Sequence, residues 1–141
     1  WRNGGKFDGK KITPEQQHLL DFYRLLLTLS THEKAISCGQ FFDLMYANQN
    51  GWKFNEHKQY TFLRKYKNEL LLIVVNFDCV AVEVAINLPS HAFDYLQMPQ
   101  TEEYEATDLL TNKKEIISLL PYKATETSLA AHGAKILKII F

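Results

Sequence analysis

The sequence predicts a mainly β fold: an antiparallel Greek-key β-sandwich of about seven to eight strands preceded by one α-helix. Two observations predict it. A single helical period occupies the N-terminal part, and from residue 38 onward the apolar pattern alternates, broken every few residues by Gly, Asn, Asp and Pro clusters. The chain has 141 residues, 46% of them hydrophobic and 13% aromatic, enough to bury a core and short enough for one sandwich.

The opening Trp1-Arg2-Asn3-Gly4-Gly5-Lys6 lacks an initiator Met and an apolar signal core, so it reads as an excised piece or a processed product. Loop is expected as far as Ile12. Thr13 can then cap a helix, Pro14 suits the first helical position because its missing N–H would be unpaired there anyway, and Gln16 completes a capping box. The helix is expected over about 14–30. At 100° per residue its Leu, Phe and Tyr side chains from Leu19 to Leu29 cover an arc of roughly 220°, about twice the stripe of a surface helix. One sandwich can cover only one side of such a helix, so a second cover is implied.

Strands are expected at 41–47 and 59–65, separated by the turn Asn48-Gln49-Asn50-Gly51. The continuous aliphatic run from Leu70 to Phe77 predicts a central strand buried on both faces. The alternating run from Val80 to Asn87 predicts its half-exposed partner, ended by Pro89, which cannot donate to a ladder. Further strands are expected at 103–109, near Ile116, at 127–131 and at 134–141, with His132-Gly133 as the last turn.

Sixteen basic against sixteen acidic residues leave no net charge, so the field that nucleic acid or anionic lipid requires is missing. The longest apolar run, Leu70–Val75, falls far short of the roughly 20 residues that span a bilayer. Cys38 and Cys79 form no Cys-x-x-Cys pair and are expected as buried free thiols; a disulfide would need their Cα atoms within about 7 Å.

Glycoside cleavage needs two carboxylates roughly 5–9.5 Å apart, and Asp43, Asp78, Asp94 and Asp108 are available. Their expected places at strand ends and turns favour local backbone hydrogen bonding over catalysis. His18, His32, His57, His91 and His132 form no His-x-x-x-His pair and read as solvated or turn residues, not as metal ligands. No nucleophile elbow or P-loop is present, and no cofactor or metal is implied. Trp52, near Tyr46 and the polar turn, is the candidate carbohydrate-stacking residue, since a sugar's apolar face stacks on exposed rings; core packing is the simpler expectation for these aromatics, with Phe41, Phe42, Phe54 and Phe62 filling the interior.

Several segments, in order, resemble the C-terminal β-sandwich of α-amylase-family enzymes, glycoside hydrolase family 13, with the last barrel helix attached. Phe22-Tyr23-Arg24-x-x-Leu27-x-Leu29 resembles that helix, Lys34-Ala35-Ile36-x-x-Gly39 the approach to the sandwich, and Trp1 to Gly9 the loop before the helix. Tyr60-x-Phe62-x-Arg64, Leu70 to Phe77, Ile86-Asn87-Leu88-Pro89, Tyr104 to Leu110 and Ala131 to Leu137 are similar to successive strands. The resemblance implies a division into residues 1–33, loop plus final helix of a catalytic barrel, and 34–141, the accessory domain. It implies a non-catalytic, barrel-stabilising role in an enzyme acting on α-glucans, with the catalytic carboxylates upstream on a barrel that alone takes roughly 250 residues. The partner would be that barrel. The alternative is a carbohydrate-binding module for starch or malto-oligosaccharides, using Trp52 and Tyr46.

Overall fold

The structure is a computed structural model that describes residues 2–6, 8–9 and 11–141. Trp1, Phe7 and Lys10 of the expected opening loop lie outside the described residues. Helix α1 (Pro14–His32) runs two residues beyond its expected end and passes through Glu33 into the short α2 (Lys34–Cys38). Eight strands follow: β1 (Gln40–Asp43), β2 (Gln59–Tyr66), β3 (Glu69–Asn76), β4 (Val82–Ile86), β5 (Thr101–Asp108), β6 (Lys114–Leu119), β7 (Thr125–Leu129) and β8 (Ala134–Ile140). They form a six-stranded sheet ordered β1-β2-β3-β8-β5-β6 and a two-stranded sheet β4-β7, an open, sandwich-like antiparallel arrangement.

The core lies between the two sheets. Leu70, Leu72 and Val74 of β3 point into it with Leu63, Leu137 and Ile139, and meet Val84 and Ile86 of β4 and Leu129 of β7. The alternate residues Leu71 and Ile73 face the other way, against Leu29, Ala35 and Ile136. The expectation that this strand is buried on both faces therefore holds, and the two faces belong to separate apolar clusters.

Three local expectations are corrected. The strand expected to reach Ala47 stops at Asp43, whose carboxylate accepts the Met45 N–H at 3.1 Å and bends the chain into a 3-10 turn, Met45–Ala47. The run at 80–87 forms β4 but does not pair with β3. Strand β8 occupies that edge of β3 instead, and the buried Asn76 amide donates to the carbonyls of Val80 (2.9 Å) and Ala130 (3.0 Å), turning the chain across to the second layer. A third helix, α3 (Ser90–Leu96), fills the expected gap after Pro89; Ala92, Phe93 and Leu96 enter the core at helical spacing, and Gln97 closes the helix in the left-handed region at φ 49°.

Both cysteines are free and exposed, contrary to the expected buried thiols: Cys38 ends a short surface helix and Cys79 sits in the β3–β4 turn. Among the described residues no helix is long and apolar enough to cross a membrane.

Leu72 is fully buried, whereas Phe77, the next apolar residue past the end of its strand, is 65% exposed. Leu72→Ala should lower the unfolding free energy by about 2–5 kcal/mol through lost burial and the cavity left behind. Phe77→Ala should stay within about 0.5 kcal/mol of the parent, as exposed substitutions do. Urea unfolding monitored by circular dichroism checks both values; equal losses would contradict this placement of the core.

Candidate interaction surfaces

Helix α1 begins with the expected capping box: the Gln16 N–H donates to Thr13 Oγ1 at 3.3 Å and the Thr13 N–H donates to Gln16 Oε1 at 3.0 Å. Beyond that start it is poorly covered. Only Leu29 is buried, Leu25 and Leu26 are half-buried, and Leu19, Leu20, Phe22, Tyr23 and Leu27 are exposed, Leu27 at 66%. Fully burying one such side chain is worth about 1.5–3 kcal/mol, so the row is a large unused source of association energy.

The helix is anchored at its C-terminal end. Lys138 on β8 pairs with Glu33, at the junction with α2, and with Glu69 on β3 at 3.0 Å. Glu69 also accepts the Ala35 N–H, and the Arg64 guanidinium donates to the carbonyls of Ala35 and Ile36. Between α1 and the sheet an apolar groove of about 330 Å³ remains, lined by Leu26, Leu29, Ile36, Phe62, Ile73 and Ile136. The exposed ring of Phe41 lies 5.4 Å from Phe62, so the apolar surface continues onto β1.

Trp52 and Tyr46 are both exposed, at 67% and 47%; the core expectation holds for Phe54, which is buried, holds in part for the half-buried Phe42 and Phe62, and fails for Phe41 and Trp52. The turn that carries Trp52 places Asn50 and Lys53 at φ 54°, a left-handed conformation rare for non-glycine residues. Lys53 Nζ stands 4.5 Å above the Trp52 ring and 3.3 Å from both Glu83 and Glu126, which belong to the outer face of β4-β7. Its hydrogen bonds to Glu83 and Glu126 hold the ammonium above its ordinary pKa.

Tyr46 lies in a different neighbourhood. Its hydroxyl hydrogen-bonds His91 Nε2, and its ring packs near Phe42 and His91. Burial, and secondarily the charge of Asp43, raise its pKa. Tyr95 completes the group against Phe42. Among the described residues no ring contact joins this cluster to Trp52, so the two residues paired by their nearness in sequence occupy separate surroundings. His91 and Tyr95 escaped the sequence reading because α3 was not expected; their i, i+4 spacing was the available signal.

The carboxylates take structural places. Asp43 accepts the Met45 N–H at the start of the 3-10 turn, Asp78 accepts the Cys79 N–H and pairs with Lys58 at 2.7 Å, and buried Asp108 accepts the N–H groups of Leu110 and Ile136. The Lys58 hydrogen bond lowers the Asp78 pKa. Asp94 departs from expectation only in lying on α3, exposed. All five histidines are exposed, and among the described residues no three His, Cys, Asp or Glu side chains converge as metal ligands.

No protein-family model and no curated protein matches the sequence. Solved structures do match. A noncanonic maltogenic α-amylase, AmyB from Thermotoga neapolitana, superposes with a TM-score of 0.67 at 13% identity over 93% of this chain and 27% of its own. The α-amylase of Geobacillus thermoleovorans, solved with acarbose, gives 0.64 at 16% identity over 94% and 24%. AmyP in complex with maltose gives 0.63 at 20% identity over 91% and 22%. The chain has the fold of a segment of α-amylases. It spans about a quarter of the chains it matches, while more than nine-tenths of its own residues are covered.

The Lys138 network gives the α1 anchor a pH signature. Burial alone would lower the Lys138 pKa, but the hydrogen bonds to Glu33 and Glu69 outweigh it and hold the ammonium above its ordinary 10.5. A raised folded pKa adds stability that is complete below the unfolded value and is lost as pH rises through the folded one. The urea midpoint of the parent should therefore exceed that of Lys138→Met at neutral pH, and the gap should narrow above pH 10.5. A gap unchanged by alkali would show that the network does not titrate in this way.

Proposed function

We propose that the chain is the non-catalytic C-terminal accessory domain of an α-amylase-type glycoside hydrolase acting on α-glucans. In this reading residues 34–141 are the sandwich, and residues 1–33 are the loop and last helix of the barrel that the domain covers and stabilises. The parent would hydrolyse or transfer α-glucosidic bonds with carboxylates supplied by its barrel. The likeness to a quarter of several α-amylase chains supports the family and the partial span.

The observation that carries the reading is the open apolar face of α1, running through the groove to Phe62 and Phe41. A helix of a free-standing sandwich would bury its apolar stripe and expose polar residues. Here Leu19, Phe22 and Leu27 face outward, as a layer between two bodies must.

The 141-residue chain should self-associate through this face, and Leu19→Gln, Phe22→Gln and Leu27→Gln combined should render it monomeric with an unchanged circular dichroism spectrum. Sedimentation velocity reads the difference. A monomeric parent that binds no hydrophobic dye would sink the docking role. The chain should also release no reducing sugar from soluble starch; release above the buffer rate would overturn the non-catalytic reading.

The exposure of Trp52 and Tyr46 favours a second reading, an α-glucan-binding module. Calorimetric titration with maltoheptaose tests it: heat that saturates supports the module, and none at millimolar ligand removes it.

A further inference from the structure

We propose that Tyr46, His91 and Tyr95, seated on Phe42, form a stacking platform for a neutral α-glucan chain, separate from Trp52. This inference rests on the α-glucan reading above and names the site that such a ligand would use.

Phe42 is the half-buried hub, with ring centroids of His91 at 5.5 Å, Tyr95 at 5.9 Å and Tyr46 at 6.4 Å; Tyr46 and His91 lie 5.6 Å apart. Tyr46, His91 and Tyr95 are all exposed, Tyr95 at 57%. Three side chains from two elements thus place tilted rings around a common base, Tyr46 and His91 side by side and Tyr95 against Phe42 alone.

The platform is built in advance of any ligand. Buried Asn48 donates to the carbonyls of Leu44 (2.8 Å) and Asn87 (3.1 Å) and accepts the Asn87 N–H at 2.7 Å. That triple bond set clamps the turn carrying Tyr46 to the segment that leads into α3. Helix α3 is fixed in turn by Ala92, Phe93 and Leu96 in the core, which leaves His91 and Tyr95 outward. Rings already held in place cost little ordering entropy on binding.

The chemistry fits a polyol. A pyranose offers C–H faces to rings and hydroxyl edges to polar groups, and the rims here carry the Tyr46 and Tyr95 hydroxyls and the His91 imidazole. Asp43, whose charge reaches Tyr46, and Asp94 on α3 disfavour an anionic ligand. The aliphatic, leucine-rich surface suited to a protein partner is instead the one on α1. Trp52 is a poorer platform: Lys53 Nζ stands over its ring, and no second ring adjoins it among the described residues.

The test is an NMR titration of the isotope-labelled 141-residue chain with maltoheptaose, with cellohexaose as the β-linked control. The expected result is saturable shifts at Tyr46, His91, Tyr95 and their neighbours with the α-linked ligand only. Tyr46→Ala and Tyr95→Ala should each weaken binding about three- to tenfold. Tyr95→Phe should retain most of it, and Trp52→Ala should leave it unchanged. Dispersion of the amide spectrum verifies folding of each variant, and the shifts in the unaltered chain do not depend on any variant. Absence of shifts, equal response to cellohexaose, or shifts centred on Trp52 and abolished by Trp52→Ala would each overturn the platform. The accessory-domain reading stands or falls separately, on the α1 variants and the starch assay.

Discussion

Strand β3 is buried on both faces, and most of the architecture follows from that constraint. Leu70, Leu72 and Val74 on one side and Leu71 and Ile73 on the other each require an apolar cover. On the first side the cover is generous: β4, β7 and α3 close over the strand and seal Val84, Leu129 and Phe93 against it. On the second side it is sparse, consisting of the C-terminal end of α1, the single turn of α2, and Leu109 and Leu110 after β5. A strand that demands two covers and has one and a half leaves a groove, and the groove lies where α1 diverges from the sheet.

Polar groups decide how the covers are wired. Buried Asn76 bonds to Gln59, Val80 and Ala130, so β2, the β3–β4 crossover and the β7–β8 turn meet at one amide. Asp108 does the same at the end of β5, accepting from Leu110, Thr111 and Ile136. Asn48 ties the turn after β1 to the end of β4. Leaving such a buried donor or acceptor unpaired costs about 1–3 kcal/mol, more than a typical hydrogen bond contributes. These residues therefore exclude alternative crossovers, a role that hydrophobic burial, being non-directional, cannot take.

The same division explains what was legible in the sequence. Helix α1 was readable to its cap because Thr13, Pro14 and Gln16 act locally, and β2, β3 and β8 were readable because their side-chain patterns are long and regular. Pairing was not. Alternation in the run at 80–87 identifies a strand but not its neighbour, and the choice of β7 over β3 rests on Asn76, a contact across 54 residues. Helix α3 was missed because seven residues carry too little period, although Ala92, Phe93 and Leu96 mark its inner face. That omission also hid the aromatic group: Tyr46 was visible as an exposed-ring candidate, but its true neighbours, His91 and Tyr95, lie on an element that local pattern did not reveal. Cys38 and Cys79 misled because a general preference for burial says nothing of a residue at a helix end or in a turn.

The two surfaces can serve at once because of the geometry of β1. Successive side chains of a strand point to opposite faces, so Phe41 turns toward Phe62 and the α1 groove while Phe42 turns toward the core layer and carries Tyr46, His91 and Tyr95. A barrel docked along α1 would cover Phe41, Phe62 and the groove and leave the Phe42 side open. One-residue alternation in a four-residue edge strand thus separates the face that would be lost to a neighbouring domain from the face that could still meet a polysaccharide. A platform on the Phe41 side would compete with docking for the same apolar area, whereas one on the Phe42 side would use the opposite face of β1. Binding of a glucan there and stabilisation of a barrel would, on this arrangement, be independent of each other.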